Sequence, residues 1–205
     1  MTLGLLCDAL DQLGLRQQSP AIAWFCVSGG PMLWGRCRTT VWEDLFEADP
    51  KPYEKEIEAV DGCRLGDVII AAAEGSMRSG IWGELLSHAA WHRGSAGALV
   101  DGGVRDTPQM KGLGFTCFAR GHSGYDSRDR QRVTDVQVPV QVGGVIVHPG
   151  DLVFGDPDGI VIIPQAHEAD VLTRAKAKLQ DENRVLRDIL DGRRLGAVYD
   201  EYGVL

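Results

Sequence analysis

The sequence predicts an α/β domain, and three patterns carry that prediction. The segment 82–93 has apolar residues at helical spacing, and the apolar stretch 96–100 that follows it is typical of a buried strand. Residues 133–163 are typical of short strands joined by turns. The amphipathic segment 167–191 then predicts a long C-terminal helix. At this length, residues 1–205 are expected to form one domain.

The first third of the chain predicts two helices and three strands. Leucines and alanines recur at helical spacing over 2–15. Apolar runs predict strands over 21–27 and 36–42, with a glycine-rich turn between them. After a proline-containing loop, Ile57 and Val60 indicate a short helix, and a Leu-Gly-Asp turn leads into a buried strand over 68–73.

The remaining elements follow in order. The central helix is expected to bury one apolar face, and Gly94 ends it; that face comprises Trp82, Leu85, Leu86, Ala89 and Ala90. The strand 96–100 comes next, and Asp106-Thr107-Pro108 opens another helix. Valines at alternate positions over 136–142 predict one half-buried strand, and Gly143-Gly144 predicts a two-residue hairpin turn.

The charge and composition exclude several classes of protein. The net charge is −8, which argues against nucleic-acid partners and against binding to anionic membranes. No apolar run is long enough to span a membrane, and the N-terminus lacks the basic residues of a secretory signal. The 5 cysteines are scattered without a C-x-x-C pair. We therefore expect a cytoplasmic protein without disulfides.

One predicted helix–strand unit brings charged residues together. The helix from Glu84 is about 15 Å long, and the following strand returns about 20 Å in the opposite direction. Glu84 at the start of the helix is therefore expected to lie near Arg105 and Asp106 at the end of the strand. In open α/β sheets this edge binds ligands.

These side chains suit a small 2-oxo acid chelated to a metal ion. Free N–H groups near Leu85 and Leu86, in the first turn of the helix, attract a carboxylate. Arg105 offers bidentate contact to an oxyanion. Asp106 and Glu84 supply the oxygen ligands that Mg²⁺ or Mn²⁺ prefers.

Simpler explanations exist for each residue taken alone. The helix dipole favours an acid such as Glu84 in the first turn, Asp106 is a good N-cap, and Arg105 has acidic neighbours for a surface ion pair. A zinc site is a further alternative, because Glu84, His88 and His92 share one helical face.

The combined pattern resembles the RraA-like family, which includes the class II 4-hydroxy-4-methyl-2-oxoglutarate aldolases that also decarboxylate oxaloacetate. The resemblance covers most of the chain and is weaker before residue 35. The matching motifs are Gly35-Arg36, Gly66-Asp67-Val68-Ile69, Trp82-Gly83-Glu84-Leu85-Leu86, Val100-Asp101-Gly102-Gly103-Val104-Arg105-Asp106, Phe118-Ala119-Arg120-Gly121, Pro149-Gly150-Asp151 and Asp156-Pro157-Asp158-Gly159.

The resemblance implies a three-layer β/β/α swivelling domain and a homotrimer or homohexamer with sites between subunits. It implies that Gly83, Glu84, Leu85 and Leu86 bind the substrate carboxylate and that Arg105 holds the 2-oxo group. Asp106 would ligate Mg²⁺ or Mn²⁺ directly, and Glu84 would act through a metal-bound water. By spacing, Glu182 on the C-terminal helix matches an acid that reaches the metal site of a neighbouring subunit; the alternative is a solvated charge on the helix surface.

The implied activity is retro-aldol cleavage of 4-hydroxy-2-oxo acids to pyruvate, with decarboxylation of oxaloacetate through the same enolate. One position departs from the aldolases, in which the acid twenty-one residues before the arginine is usually Asp; here it is Glu84. The alternative is a non-enzymatic regulator that binds a protein, as the ribonuclease-inhibiting relatives do. Those relatives lack an acid at this position, so Glu84 favours an enzyme.

Overall fold

Eleven strands, most of them in one large sheet, are seen in a computed structural model that describes residues 1–204. The strands are β1 (Phe25–Ser28), β2 (Leu33–Asp44), β3 (Asp67–Ala72), β4 (Gly80–Trp82), β5 (Gly97–Val104), β6 (Thr116–His122), β7 (Gln131–Val136), β8 (Val140–Val142), β9 (Val145–Val147), β10 (Leu152–Asp156) and β11 (Gly159–Ile163).

Helices connect and cover these strands. They are α1 (Leu3–Asp11), α2 (Glu54–Asp61), α3 (Glu84–His92), α4 (Thr107–Leu113), α5 (Glu168–Leu190) and α6 (Leu195–Tyr202), with a 3₁₀ turn at Gln165–His167. Within this described part of the chain, no helix has the length and apolarity needed to cross a membrane.

The strand order of the large sheet is β1-β6-β5-β3-β2-β10-β11, with β4 added beside β5 and β7 beside β2. The central strands β2, β3, β5 and β6 run parallel, and β10, β11, β7 and β1 pair antiparallel around them. Parallel neighbours need crossovers, which α2 and the β4–α3 unit supply on one side of the sheet. The predicted α/β class is confirmed.

Alternate residues of the central strands face two different apolar layers. Ile69 and Ala98 point to the helical layer, where they join Ala90 of α3 and Met110 of α4. Ile70, Leu99 and their partners point to the opposite face, which the β8–β9 hairpin and strands β10 and β11 cover. This period-2 alternation gives sheet, sheet and helices in three layers, the β/β/α arrangement expected from the resemblance.

The C-terminal helix lies on the far side of β10 and β11. Val171 and Ala175 of α5 are fully buried against α1 and the outer faces of these two strands. The predicted helix over 167–191 is thus observed as Glu168–Leu190. Its packing at an oligomer interface, and the assignment of 1–205 as one domain, stay predictions.

Several predicted boundaries are wrong for identifiable reasons. The first helix ends at Asp11 rather than residue 15, and the strand expected over 21–27 begins only at Phe25. Gln137 has a φ of 59°, so the backbone turns there; Val136 ends one strand, Val140 and Val142 belong to another, and Val138 lies between them. The Gly143-Gly144 turn is confirmed, with positive φ at both glycines.

Candidate active site

A short strand that the sequence did not predict builds one wall of the site. Trp82, expected in the central helix, instead belongs to β4, which pairs in parallel with the end of β5. Trp82 lies opposite Val104, and the Arg105 N–H donates to the Trp82 carbonyl at 2.9 Å. The residues that follow the two strands, Gly83-Glu84 and Arg105-Asp106, are therefore neighbours.

The first turn of α3 presents free N–H groups. The first bond of the helix runs from the Ser87 N–H to the Gly83 carbonyl at 3.0 Å, so the N–H groups of residues 84–86 have no partner within the helix. No side chain caps this end. The buried Ser87 hydroxyl donates to Gly83 and accepts from the Trp82 indole, which fixes this turn against the sheet.

The apolar face expected for α3 is partly wrong. Leu85 is 80% exposed, and the residues of α3 buried in the core are Ser87 and Ala90. Because Leu85 stands at the mouth of the cavity described next, its side chain contributes to the rim of the site instead of the core.

A cavity of about 360 Å³ opens in front of this turn. One part of the lining consists of residues 83–86 with Arg105 and Asp106; a second part, which we call the facing wall, comprises Tyr53, Glu56 and Asp126 from other elements. Among the described residues that line it, Arg105 is the only basic side chain, against four acidic ones. The structure therefore gathers Gly83, Glu84, Leu85, Leu86, Arg105 and Asp106 around one space.

Ion pairs and a hydrogen bond tie the two walls together. Arg105 lies 3.6 Å from Asp106 through Nε and 3.5 Å from Asp126 Oδ1 through Nη2. The Tyr53 hydroxyl donates to Asp126 Oδ2 at 2.8 Å. Burial opposes ionisation of Asp126, but the Tyr53 bond, the Arg105 charge and hydrogen bonds from the backbone N–H groups of residues 127 and 128 together outweigh it, so the pKa of Asp126 is lowered.

Glu56 is the most deeply buried acid on the facing wall, with 9% of its surface exposed. Burial raises the pKa of Glu56 to about 8, the Asp126 carboxylate adds to the rise, and Arg105 opposes it. The Glu56 carboxyl makes no hydrogen bond to any described residue, unlike the neighbouring Asp126.

Gly83 and Asp106 are in close contact, so a larger residue at position 83 would displace the Asp106 carboxylate. A Cβ at position 83 would lie 2.9 Å from Asp106 Oδ2 and 3.2 Å from Arg105 Cγ. Asp106 itself has a φ of 54° and its side chain caps no helix N–H. The N-cap explanation of Asp106 is therefore wrong, and its carboxylate is left facing the cavity.

Two other expectations have different outcomes. Over residues 1–204, no three His, Cys, Asp or Glu side chains converge as a group able to hold a metal, so the alternative zinc site of Glu84, His88 and His92 is wrong. Glu182 lies on α5 outside this cavity, 3.6 Å from Lys178. Its reach into a neighbouring subunit stays a prediction.

Three residues of the facing wall were missed by the sequence analysis. Tyr53 and Glu56 come from α2 and its N-cap, and Asp126 comes from the loop after β6. The only sequence signal is weak: Asp126 lies among the arginines of a polar loop. The Glu-Lys-Glu-Ile-Glu pattern of α2 is instead typical of a solvated helix.

Comparison with known proteins agrees with the motifs. A family model described as "RraA-like: Aldolase/RraA" matches residues 4–162. A Halalkalibacterium halodurans protein named "Putative 4-hydroxy-4-methyl-2-oxoglutarate aldolase" is 39% identical over 126 residues, which cover 62% of this chain and 60% of that protein. The DlpA protein of Legionella pneumophila is 28% identical over 96% of this chain but only 32% of its own length. The chain thus spans less than two thirds of these relatives.

Solved structures share the fold over nearly the whole chain. An uncharacterized protein from Pseudomonas syringae superposes with a TM-score of 0.86 at 29% identity, covering 98% of this chain and 90% of that one. Streptomyces coelicolor RraAS2, described as an unusual member of the RNase ES inhibitor RraA protein family, gives a TM-score of 0.77 at 27% identity, covering 90% and 91%.

Proposed function

This chain belongs to the RraA-like family, and from that premise we propose that it is a divalent-metal-dependent carbon–carbon lyase. Its substrates would be 4-hydroxy-2-oxo acids of the 4-hydroxy-4-methyl-2-oxoglutarate type, cleaved to pyruvate, and oxaloacetate, which it would decarboxylate. The observation that carries this proposal is the single cavity that joins a free helix N-terminus, one guanidinium and the Asp106 carboxylate.

The substrate carboxylate fits the first turn of α3. The N–H groups of Glu84, Leu85 and Leu86 are free there, and a helix N-terminus carries partial positive charge. Arg105 on the adjacent strand end would hold the keto oxygen. As the only basic side chain among the described lining residues, it would stabilise the negative charge that develops on that oxygen when the carbon–carbon bond breaks.

The donor set suits Mg²⁺ or Mn²⁺. Such ions bind through one or two carboxylates and retain several waters, so they do not need a dedicated cage of three side chains. Asp106 would hold the ion directly and Glu84 through a water molecule. When bound, the ion would act as a Lewis acid toward the keto oxygen of the substrate.

Glu84 would be the base that accepts the proton of the C4 hydroxyl. Its carboxylate would accept that proton through water as the bond between C3 and C4 breaks and the carbonyl product leaves. Oxaloacetate loses CO₂ instead and needs no base at C4. The longer side chain of Glu84, compared with the aspartate typical of the aldolases, would shift the position of this base.

The family resemblance also supports three coarser proposals. We expect a homotrimer or homohexamer in the cytoplasm, without nucleic-acid or membrane partners. Glu182 of a neighbouring subunit would then approach the metal. Leu85 and Ile57 at the rim of the cavity are 80% and 54% exposed, as side chains covered by a second subunit would be in an isolated chain.

A coupled pyruvate assay tests the proposed function. Oxaloacetate and 4-hydroxy-4-methyl-2-oxoglutarate should release pyruvate with Mg²⁺ or Mn²⁺ and not with EDTA. Asp106→Asn should lose activity by about 100-fold or more, because it removes a charged ligand while the side-chain shape is preserved. A metal-independent rate, or full activity in this variant, would refute the site. No pyruvate from either substrate would favour the protein-binding regulator.

Gly83→Ala should weaken the metal site without unfolding the protein. The new methyl group must displace the Asp106 carboxylate, whose flexible end can move, so the free energy of unfolding should change by less than about 1 kcal/mol. The Kd for Mn²⁺, measured by calorimetry, should rise by about tenfold or more. Gly112→Ala, with open space around its Cβ, is the matched control; an unchanged Kd in Gly83→Ala would contradict the assignment of Asp106.

A further inference from the structure

Helix α2 buries an acid and exposes its apolar neighbour. Glu56 is 9% exposed, whereas Ile57, the next residue, is 54% exposed. Burying a carboxyl costs free energy unless a partner compensates it, and no described residue forms a hydrogen bond with this one. An arrangement that reverses the usual preference indicates that the Glu56 carboxyl serves something that enters the cavity.

The surroundings hold this carboxyl in place. Tyr53, one turn before Glu56, begins α2 with a φ of 66° and anchors it by its bond to Asp126. Asp126 in turn faces Arg105. Glu56 therefore lines the same cavity as the α3 turn, beside the space that the substrate would occupy.

We propose that Glu56 is the acid that protonates C3 of the pyruvate enolate after carbon–carbon bond cleavage. This inference rests on the proposed function and adds a residue to it, because none of the roles given to Arg105, Asp106 and Glu84 supplies the C3 proton. Glu84 and Asp106 lie on the wall that would hold the carboxylate and keto group. Glu56 is the buried acid on the other wall.

The proton balance of this step is complete. The enolate carbon C3 forms a bond to the carboxyl proton of Glu56, the O–H bond of Glu56 breaks, and the C2 carbonyl is restored. In aldol cleavage Glu84 gains the proton of the C4 hydroxyl and Glu56 loses one to C3; Glu84 then releases its proton to solvent and Glu56 takes one from solvent, so the net reaction consumes none. Decarboxylation of oxaloacetate consumes one proton, which solvent returns to Glu56.

The protonation state of Glu56 agrees with this role. With its pKa raised to about 8 by burial, the carboxyl retains its proton at neutral pH, as a donor must. Asp126, whose pKa is lowered, is ionised under the same conditions and has no proton to give.

Exchange of the pyruvate methyl protons in D₂O, followed by NMR, tests Glu56 directly. The protein with Mn²⁺ or Mg²⁺ should catalyse this exchange. Removal of a proton from C3 forms the enolate, and C3 is then protonated again with a deuteron that comes from the solvent. Glu56→Gln should lower the exchange rate by about 100-fold or more. Under single-turnover conditions, release of CO₂ from oxaloacetate by the same variant should stay within about tenfold of the unmodified protein, since that bond breaks before the proton arrives.

Two controls separate chemistry from structural damage. Glu58→Gln removes an exposed acid from the same helix and should leave both rates unchanged. Binding of oxalate, an enolate analogue, should have the same Kd in Glu56→Gln as in the unmodified protein.

Each other outcome has a separate meaning. Undiminished exchange in Glu56→Gln, or equal losses of exchange and CO₂ release, would overturn the role of Glu56 while the proposed function stands. If the unmodified protein releases no pyruvate and catalyses no exchange, the proposed function fails and this inference fails with it.

Discussion

Replacing Arg105 with alanine is expected to lower kcat/KM for pyruvate release by about 1,000-fold. Removing one donor that stabilises a developing oxyanion costs about 100- to 1,000-fold, and Arg105 is the only basic side chain among the described residues lining the cavity. The variant also leaves the acidic lining residues other than Glu56 without their counter-charge, so binding of an anionic substrate weakens as well. Steady-state kinetics with oxaloacetate should show a fall in kcat together with a rise in KM.

Two further variants test whether the charge and the shape of the Arg105 side chain are both needed. Arg105→Lys keeps the charge but loses the planar fork, so it should recover only part of the lost activity. Arg128→Ala removes an arginine that is 62% exposed and pairs with Asp129, and it should be nearly silent. Activity of Arg105→Ala within tenfold of the unmodified protein would show that Arg105 does not hold the reacting oxygen.

Much of this cavity wall could be predicted because its two halves are local motifs. The Gly83-Glu84 and Arg105-Asp106 segments each follow an apolar stretch, and a helix–strand return brings them together. In the structure, the two segments are neighbours because β4 pairs with β5, which places Trp82 beside Val104. The sequence analysis predicted only the helix–strand return. A strand of three residues within a helical pattern leaves no periodicity for sequence analysis to detect.

The facing wall could not be predicted for a different reason. Glu56 is buried through tertiary contacts that place α2 against the cavity, and its own sequence neighbours indicate a solvated helix. Of the two apolar residues that indicated this helix, Ile57 is exposed and Val60 is buried. The local sequence of α2 indicates an exposed position for Glu56, and only the folded structure shows that this acid is buried.

The errors elsewhere in the fold have separate causes. The left-handed conformation of Gln137 splits an apparently continuous strand, although Gln carries no turn signal of the kind that glycine or asparagine provides. Helix α6 was not predicted, because only Val198 within it is buried and its apolar pattern is short. At both places, tertiary contacts determine a secondary structure that the local sequence does not specify.

The burial of Glu56 should make the stability of the protein fall as pH rises. In the unfolded chain this carboxyl titrates near its ordinary pKa of about 4.5, whereas burial raises the pKa to about 8 in the folded protein. Between these values the unfolded state has released the proton and the folded state still binds it. Stability should therefore decline by about 1.4 kcal/mol per pH unit across this range, up to about 5 kcal/mol in total.

Glu56→Gln should remove this contribution, because the amide does not titrate. Urea unfolding should give similar free energies for the two proteins near pH 4, where Glu56 is protonated in both states. The variant should become the more stable one by several kcal/mol near pH 8. Glu58→Gln, on the exposed side of α2, should instead follow the unmodified protein at every pH.

The two outcomes have different meanings. If the free energies of unfolding of Glu56→Gln and the unmodified protein change with pH in parallel, the folded state does not disfavour the ionised form of Glu56. Divergence of the profiles, together with the loss of methyl exchange, would show that the carboxyl which destabilises the fold at high pH is the one that donates the proton.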